Sequence, residues 1–340
     1  MNSVVKKSLI ALATLAAVST SFAQVTVYGM ADMYVGKSTT ATIGVVAATP
    51  LAAAGPGLSN GGVDTSRLGF KAVEDLGSGM SAVVTYETTV NPDAPNATSL
   101  GDRVATLALS AGAHSLTLGT QYTPSLNYVT CNSASDCHNQ DQSYLGGNGS
   151  VTDRNSVSYG YSAGPLIIQI MNGFNEDGTG EGANATTHAS IGGSYTAGPL
   201  VIGAAIESNG SSGAGKTASN LTAMSVTYDF GAFKLGVMSG SLRNDGNTDG
   251  INKSGYGLSA GVPVGANAVT LSYGINTASG AARTSTTFAY NLMYSHFVSK
   301  TTNLYTFYTN QTQDSNAALY TGGAANATTT TMGLGARKSF

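Results

Sequence analysis

Ala268-Val269-Thr270-Leu271-Ser272-Tyr273-Gly274-Ile275 alternates without a break. Val269, Leu271, Tyr273 and Ile275 share one parity, and small or polar residues hold the other. Residues 287–294 repeat the pattern, setting Phe288, Tyr290, Leu292 and Tyr294 against Thr287, Ala289, Asn291 and Met293. Residues 222–228 and 157–161 do the same. Successive side chains of a strand point to opposite faces, so each segment is a strand with one apolar face and one small or polar face. The polar face of a soluble sandwich is rich in Lys and Glu; here it is nearly uncharged. That pairing of faces suits a sheet between lipid and water.

Composition points the same way. Of 340 residues only 10% are charged, while 44 are Gly and 17 are Tyr. An apolar share of 41% is too high for a chain that stays disordered. After the first 23 residues no run of 18 uncharged apolar residues occurs, so a bundle of membrane helices is excluded. With no Trp in the chain, Tyr must supply any interfacial aromatic belt.

The N-terminus reads as an export leader. Lys6 and Lys7 precede an apolar stretch over residues 8–18, and Ser21-Phe22-Ala23 offers small residues at the −3 and −1 positions. Residues 1–23 are therefore expected to be removed, leaving residues 24–340 as one domain that starts at Gln24. The removal deletes two Lys and no acid, so the mature chain is more acidic than the formal −3 of the whole. Its cysteines meet an oxidising compartment.

Connections alternate between two sizes. Tight Gly- or Pro-bearing turns at residues 74–79, 111–113, 163–165, 197–199, 231–232, 265–267 and 298–301 take turns with long loops at 37–64, 91–102, 122–152, 175–186, 209–218, 242–253, 276–284 and 313–328. Seven turns and eight loops separate sixteen strands. The expected fold is all-β: a sixteen-stranded antiparallel transmembrane β-barrel with short periplasmic turns and long external loops, which leaves no free edge.

Ser66-Arg67-Leu68-Gly69-Phe70-Lys71, followed by Glu74-Asp75-Leu76-Gly77-Ser78-Gly79, resembles the second strand and turn of general outer-membrane porins from β-proteobacteria. Val25-Thr26-Val27-Tyr28-Gly29 looks like the first strand of that family, and Asp153-Arg154-Asn155-Ser156-Val157-Ser158-Tyr159 like the strand after its constriction loop. A closing Phe340 is similar to the family's assembly signal. The resemblance implies a trimeric, water-filled channel in the outer membrane that passes small ions and hydrophilic solutes. It also implies that the third long loop, residues 122–152, folds inward to narrow the barrel. Thr120 stands where the family often carries Arg, which thins the implied basic cluster.

Selectivity in such a channel is set by the charges at its narrowest ring. Leu68, Phe70 and Ala72 take the lipid parity, so Arg67 and Lys71 are expected in the lumen. Parity likewise turns Asp32, Glu87 and Arg154 inward. Arg103 shares parity with Leu107 and Leu109 and reaches the lumen only through a bulge or an irregular strand start, as the resemblance implies it does. Asp136 and Asp141 on the third loop would face Arg67, Arg103 and Arg154 across the gap, giving a weak to moderate anion preference. The competing reading is that these arginines simply pair with neighbouring carboxylates.

Cys131 and Cys137 sit six positions apart in that loop and most simply form one disulfide. His138 would extend them toward a metal set, but the spacing fits no standard zinc pattern. No cofactor or nucleotide motif occurs, and the few dispersed bases argue against nucleic acid. An outer-membrane enzyme would need a nucleophile beside an oriented base; no catalytic pair is favoured around His114, His138, His188 or His296. A secreted β-solenoid adhesin would show a short fixed repeat, and none occurs.

Overall fold

The computed structural model describes residues 24–42, 55–93, 100–134, 151–174, 187–210, 217–244, 251–280, 284–314 and 327–340. The expected leader, residues 1–23, lies outside them, as do Asp136, Cys137 and Asp141.

Seventeen strands are described. The first six are β1 (Gln24–Thr42), β2 (Gly57–Asn60), β3 (Arg67–Gly77), β4 (Met80–Thr89), β5 (Val104–Ala111) and β6 (His114–Tyr122). Next come β7 (Thr152–Ala163), β8 (Leu166–Gly173), β9 (His188–Ala197), β10 (Leu200–Asn209), β11 (Ser219–Asp229) and β12 (Lys234–Arg243). The last are β13 (Asn252–Val264), β14 (Asn267–Ser279), β15 (Thr284–Ser299), β16 (Thr302–Gln313) and β17 (Ala327–Ser339).

From β3 to β17 each strand pairs antiparallel with the next, and β1 joins the two ends. Its residues Gln24 to Met30 lie on β3, and Met30 to Thr42 lie on β17. Gly29 and Phe340 exchange backbone hydrogen bonds of 3.0 and 3.1 Å across this seam. Sixteen strands thus form a closed barrel, as the count of turns and loops requires. The residue pattern also differs from the expected loop 37–64: β1 runs on to Thr42, and β2 is a seventeenth, four-residue strand on Met33 to Gly36.

The outward parity is apolar and exposed along the whole ring, with Val25, Val27, Leu107, Leu116, Ile202, Val237, Leu258 and Leu292 as examples. With each of the sixteen barrel strands paired on both sides, the ring has no unsatisfied edge to present to hydrocarbon. No helix among the described residues is long and apolar enough to cross a membrane.

Two segments turn inside. Between β2 and β3, which share one edge of β1, residues 61–66 step inward, and buried Val63 packs with Met293, Tyr305, Phe307 and Tyr34. The second segment follows β6 and contains a π turn, Leu126–Thr130. Its Val129 is buried against Ala205, Leu221, Ala223, Met238 and Leu242, all on the inner parity of β10 to β12.

Beside this apolar contact, part of the wall under the second segment is bare of side chains. A Cβ on Gly203 would run into the Tyr128 carbonyl, one on Gly192 into Pro124, and one on Gly261 into the Ala134 carbonyl. Hydroxyls flank the track and hold backbone groups of the segment. Ser225 donates to the Tyr128 carbonyl at 3.3 Å and Thr227 to the Asn132 carbonyl at 2.9 Å, while Ser259 accepts from the Ala134 N–H at 2.9 Å. Glu207, 1% exposed, accepts the Ser125 N–H at 3.1 Å. Alternating Gly and Ser/Thr on the inner parity is what lets a chain segment lie flat against the sheet.

Gly203→Val should lift residues 124–134 off the wall without opening the ring. Limited proteolysis checks this: cleavage within that segment is expected in the variant and not in the parent, with the heat-modifiable gel migration of a folded barrel retained. An equally protected segment would show that the glycine is not needed for docking.

Candidate pore constriction

Register brings the first charge cluster together. Gly69 of β3 pairs with Glu87 of β4, which places Glu87 on the inner face beside Arg67. Arg103 comes from the bend ahead of β5, where Gly101 takes a φ of 79° and turns the chain. The irregular start overrides the lipid parity of Leu107 and Leu109, so Arg103 reaches the inner side. Its Nε donates to Glu87 Oε1 at 2.8 Å and its Nη2 to the Tyr122 hydroxyl at 2.9 Å. Tyr122 donates to Glu87 Oε1 at 3.0 Å and Tyr28 to Oε2 at 3.2 Å. Arg67 pairs with Asp64, and its Nη1 lies 3.7 Å from Glu87.

Two guanidiniums therefore face two carboxylates. Burial alone would lower the Arg103 pKa, but Tyr122 and Glu87 raise it, so its charge is fixed. Asp102 anchors the bend. Burial would raise its pKa, yet hydrogen bonds from Thr89 and Thr88 hold it below the usual carboxylate range. Its negative charge is thereby favoured by the fold. The contribution to stability is present above the ordinary carboxylate pKa and is lost as the pH falls through the lowered one.

The other expected lumen residues divide. Lys71 is exposed on the same inner parity as Arg67 and makes no ion pair among the described residues. Asp32 is on the inner parity too, but it is 0% exposed and does not line open water. Its Oδ2 accepts the N–H groups of Val63 and Asp64 at 2.9 and 2.7 Å, and Tyr305 donates to Oδ1. It is the anchor of residues 61–66. Alternation gives its side of the sheet but not the segment that covers it.

Arg154 departs from expectation. Between Gly119–Ser156 and Gln121–Asp153 the register of β6 and β7 slips, so that Arg154 and Asn155 oppose the single residue Thr120. Asn155 takes a φ of 47° at this bulge. A bulge of this kind re-aims the side chains beside it. Asp153, not Arg154, takes the inner side, where it meets His188 Nδ1 at 2.8 Å. Arg154 is exposed near the loop end of its strand, opposite Thr120. Cys131 is disulfide-bonded.

Sequence reasoning passed over several inner residues. His188, Asp153 and Glu207 form a second buried cluster beneath the inward segment, with His188 Nε2 3.8 Å from Glu207 Oε2. Lys234 and Arg337 also hold the inner parity of their strands, opposite to Leu235 and Val237 and to Leu334 and Ala336. That contrast is present in the sequence and identifies both. Arg337 donates to Asn303 Oδ1 at 3.1 Å.

Comparison with known proteins gives three findings. The family model described as Gram-negative porin matches residues 8–316. Outer membrane porin protein 32 of Delftia acidovorans is 37% identical over 134 residues, a match covering 37% of this chain and 34% of that relative. The chain therefore aligns with about a third of the relative's length. Among solved structures, the anion-selective porin from Comamonas acidovorans superposes with a TM-score of 0.76 at 24% identity, covering 94% of this chain and all of that one. The trimer form of OmpT from Vibrio cholerae gives 0.69 at 14% identity, covering 94% and 99%. At these identities the superpositions establish the fold.

Glu87→Ala should leave Arg67 and Arg103 facing each other without their shared partner. A loss of about 1–3 kcal/mol in unfolding stability is expected, the range for a stranded polar or charged partner. Urea titration of the folded barrel measures it. Adding Arg103→Ala should cost less than the sum of the single losses; strict additivity would mean that the two residues do not interact.

Proposed function

Because the chain belongs to the Gram-negative porin family, we propose that it forms a water-filled channel of the outer membrane, through which ions and small hydrophilic solutes diffuse passively. The observation that carries this is the two-faced wall: a closed ring, apolar outside, with charges, hydroxyls and amides gathered within. Residues 124–134 narrow that interior, and the Arg67–Glu87–Arg103 cluster borders it. Residues 1–23 act as a cleaved leader, and Phe340 serves as an assembly signal. Lipid covers the outer face. The trimer form of the Vibrio cholerae relative supports a homotrimer here.

The ion preference is anionic and weak to moderate. Arg67 and Arg103 remain at the constriction, but Asp64 and Glu87 offset much of their field. Exposure tips the balance. Of the inner acids, Asp32, Glu87 and Glu207 are buried, whereas Lys71 stands in the open. An ion passing the ring responds most to charge it can approach, so Lys71 contributes more than its single charge indicates. The disulfide of Cys131 is assigned to Cys137 and stiffens the loop.

Reversal potential across a salt gradient in planar bilayers tests the reading. The parent should favour anions. Lys71→Ser should lower the anion-to-cation permeability ratio, and Arg67→Ser should lower it further by uncovering Asp64 and Glu87. A ratio unchanged in both variants would remove these bases from selectivity, and absence of stepwise conductance would remove the channel.

A further inference from the structure

One sector of the inner wall carries no charge. It lies on β6, β7 and β8 on the turn side of Asp153, between the Arg103–Glu87 cluster and the His188–Asp153–Glu207 cluster, and Tyr128 of the inward segment overhangs it. A cleft of ≈ 210 Å³ opens there, and no Asp, Glu, Lys or Arg lines it. Its floor exists because of Gly160. A Cβ at that position would run into Ser115 Oγ, so no side chain stands up from the middle of the sheet.

We propose that this cleft is a dwell site for a small neutral polyhydroxylated solute, a monosaccharide or polyol, on its way through the channel. The inference rests on the channel reading above and adds a solute class to it. The polar groups are already ordered. Gln121, buried at the centre, donates to Ser156 Oγ at 3.0 Å and accepts from Ser158 Oγ at 2.6 Å and from Gln169 at 3.5 Å. Thr117 is the cross-strand partner of Ser158, so their side chains stand next to each other on the inner face. The hydroxyls of Ser115, Thr117 and Tyr128 make no side-chain hydrogen bond among the described residues.

The chemistry selects the ligand. A charged solute entering the cleft would give up hydration and meet no counter-charge. A polyol exchanges hydrogen bonds with water for hydrogen bonds with the fixed amides and the open hydroxyls at little net cost. The ring of Tyr128 offers an apolar face to the C–H side of a sugar ring. Few polar groups set on a rigid wall beside an aromatic surface is the usual make-up of a small-molecule site.

Current noise through single channels in planar bilayers decides, with D-glucose as probe and a glycol ether of matched size as control. Glucose should produce excess noise that saturates with concentration; the glycol ether should only scale the conductance. In Ser115→Ala/Thr117→Val the half-saturating glucose concentration should rise about five- to tenfold, the worth of a lost hydrogen bond or two, with the conductance in plain electrolyte unchanged. Tyr128→Leu should raise it as well. Noise that never saturates, or a half-saturation untouched by both variants, would overturn the site while leaving the channel standing. Loss of all conductance in the parent would instead bring down the channel reading and this site with it.

Discussion

The whole structure depends on closing the ring. Within hydrocarbon a backbone N–H or C=O has only other backbone groups to bond with, so a sheet survives there only without an edge. β1 meets that demand by serving two partners, giving its first residues to β3 and the rest to β17, with Gly29 and Phe340 bonded at the crossing point. Above that crossing, β2 takes up the edge of β1 that β3 leaves open. Closure also fixes the alternation of faces all the way round. Once a barrel stands in lipid, one parity must be apolar and the other is left for chemistry.

The interior is organised as sectors rather than as a uniform lining. Paired charge occupies β3 to β5, uncharged hydroxyls and amides occupy β6 to β8 on the turn side of Asp153, and a track of Gly, Ser and Thr on β9 to β13 receives the inward segment. Near the seam, Asp32 and Tyr305 hold residues 61–66 against an inner patch of Met293, Phe307 and Tyr34. Each sector follows from which residues the sequence puts on the inner parity of consecutive strands.

Parity made most of this legible. The strand number follows from the count of turns and loops, and the outer faces and the inward direction of Arg67, Lys71, Glu87 and Asp32 follow from alternation, because a half-buried strand has no other way to hide its apolar residues. Parity fails where the ladder slips. Arg154 sits beside a bulge whose only local sign is Asn155, a residue that tolerates a positive φ but does not require one. Alternation is also silent about what covers a residue. Asp32 points inward as expected and is nevertheless buried, because residues 61–66, far from it in the chain, bring their N–H groups to its carboxylate. Pairing has the same character only in part: Asp64 lies three residues from Arg67 in the chain, whereas Glu87 meets Arg67 and Arg103 through the pairing of neighbouring strands, which a single strand does not encode.

The inward segment is held by its main chain. Ser225 and Thr227 bond its carbonyls, and Ser259 and Glu207 take its N–H groups. That berth constrains the main chain and the buried side chains, Val129 above all, and is indifferent only to the residues of the segment that look away from the wall. Descendants of this gene can therefore exchange the outward-looking residues of the segment one at a time, retuning what the orifice admits, while the cylinder that bears it goes on assembling as before.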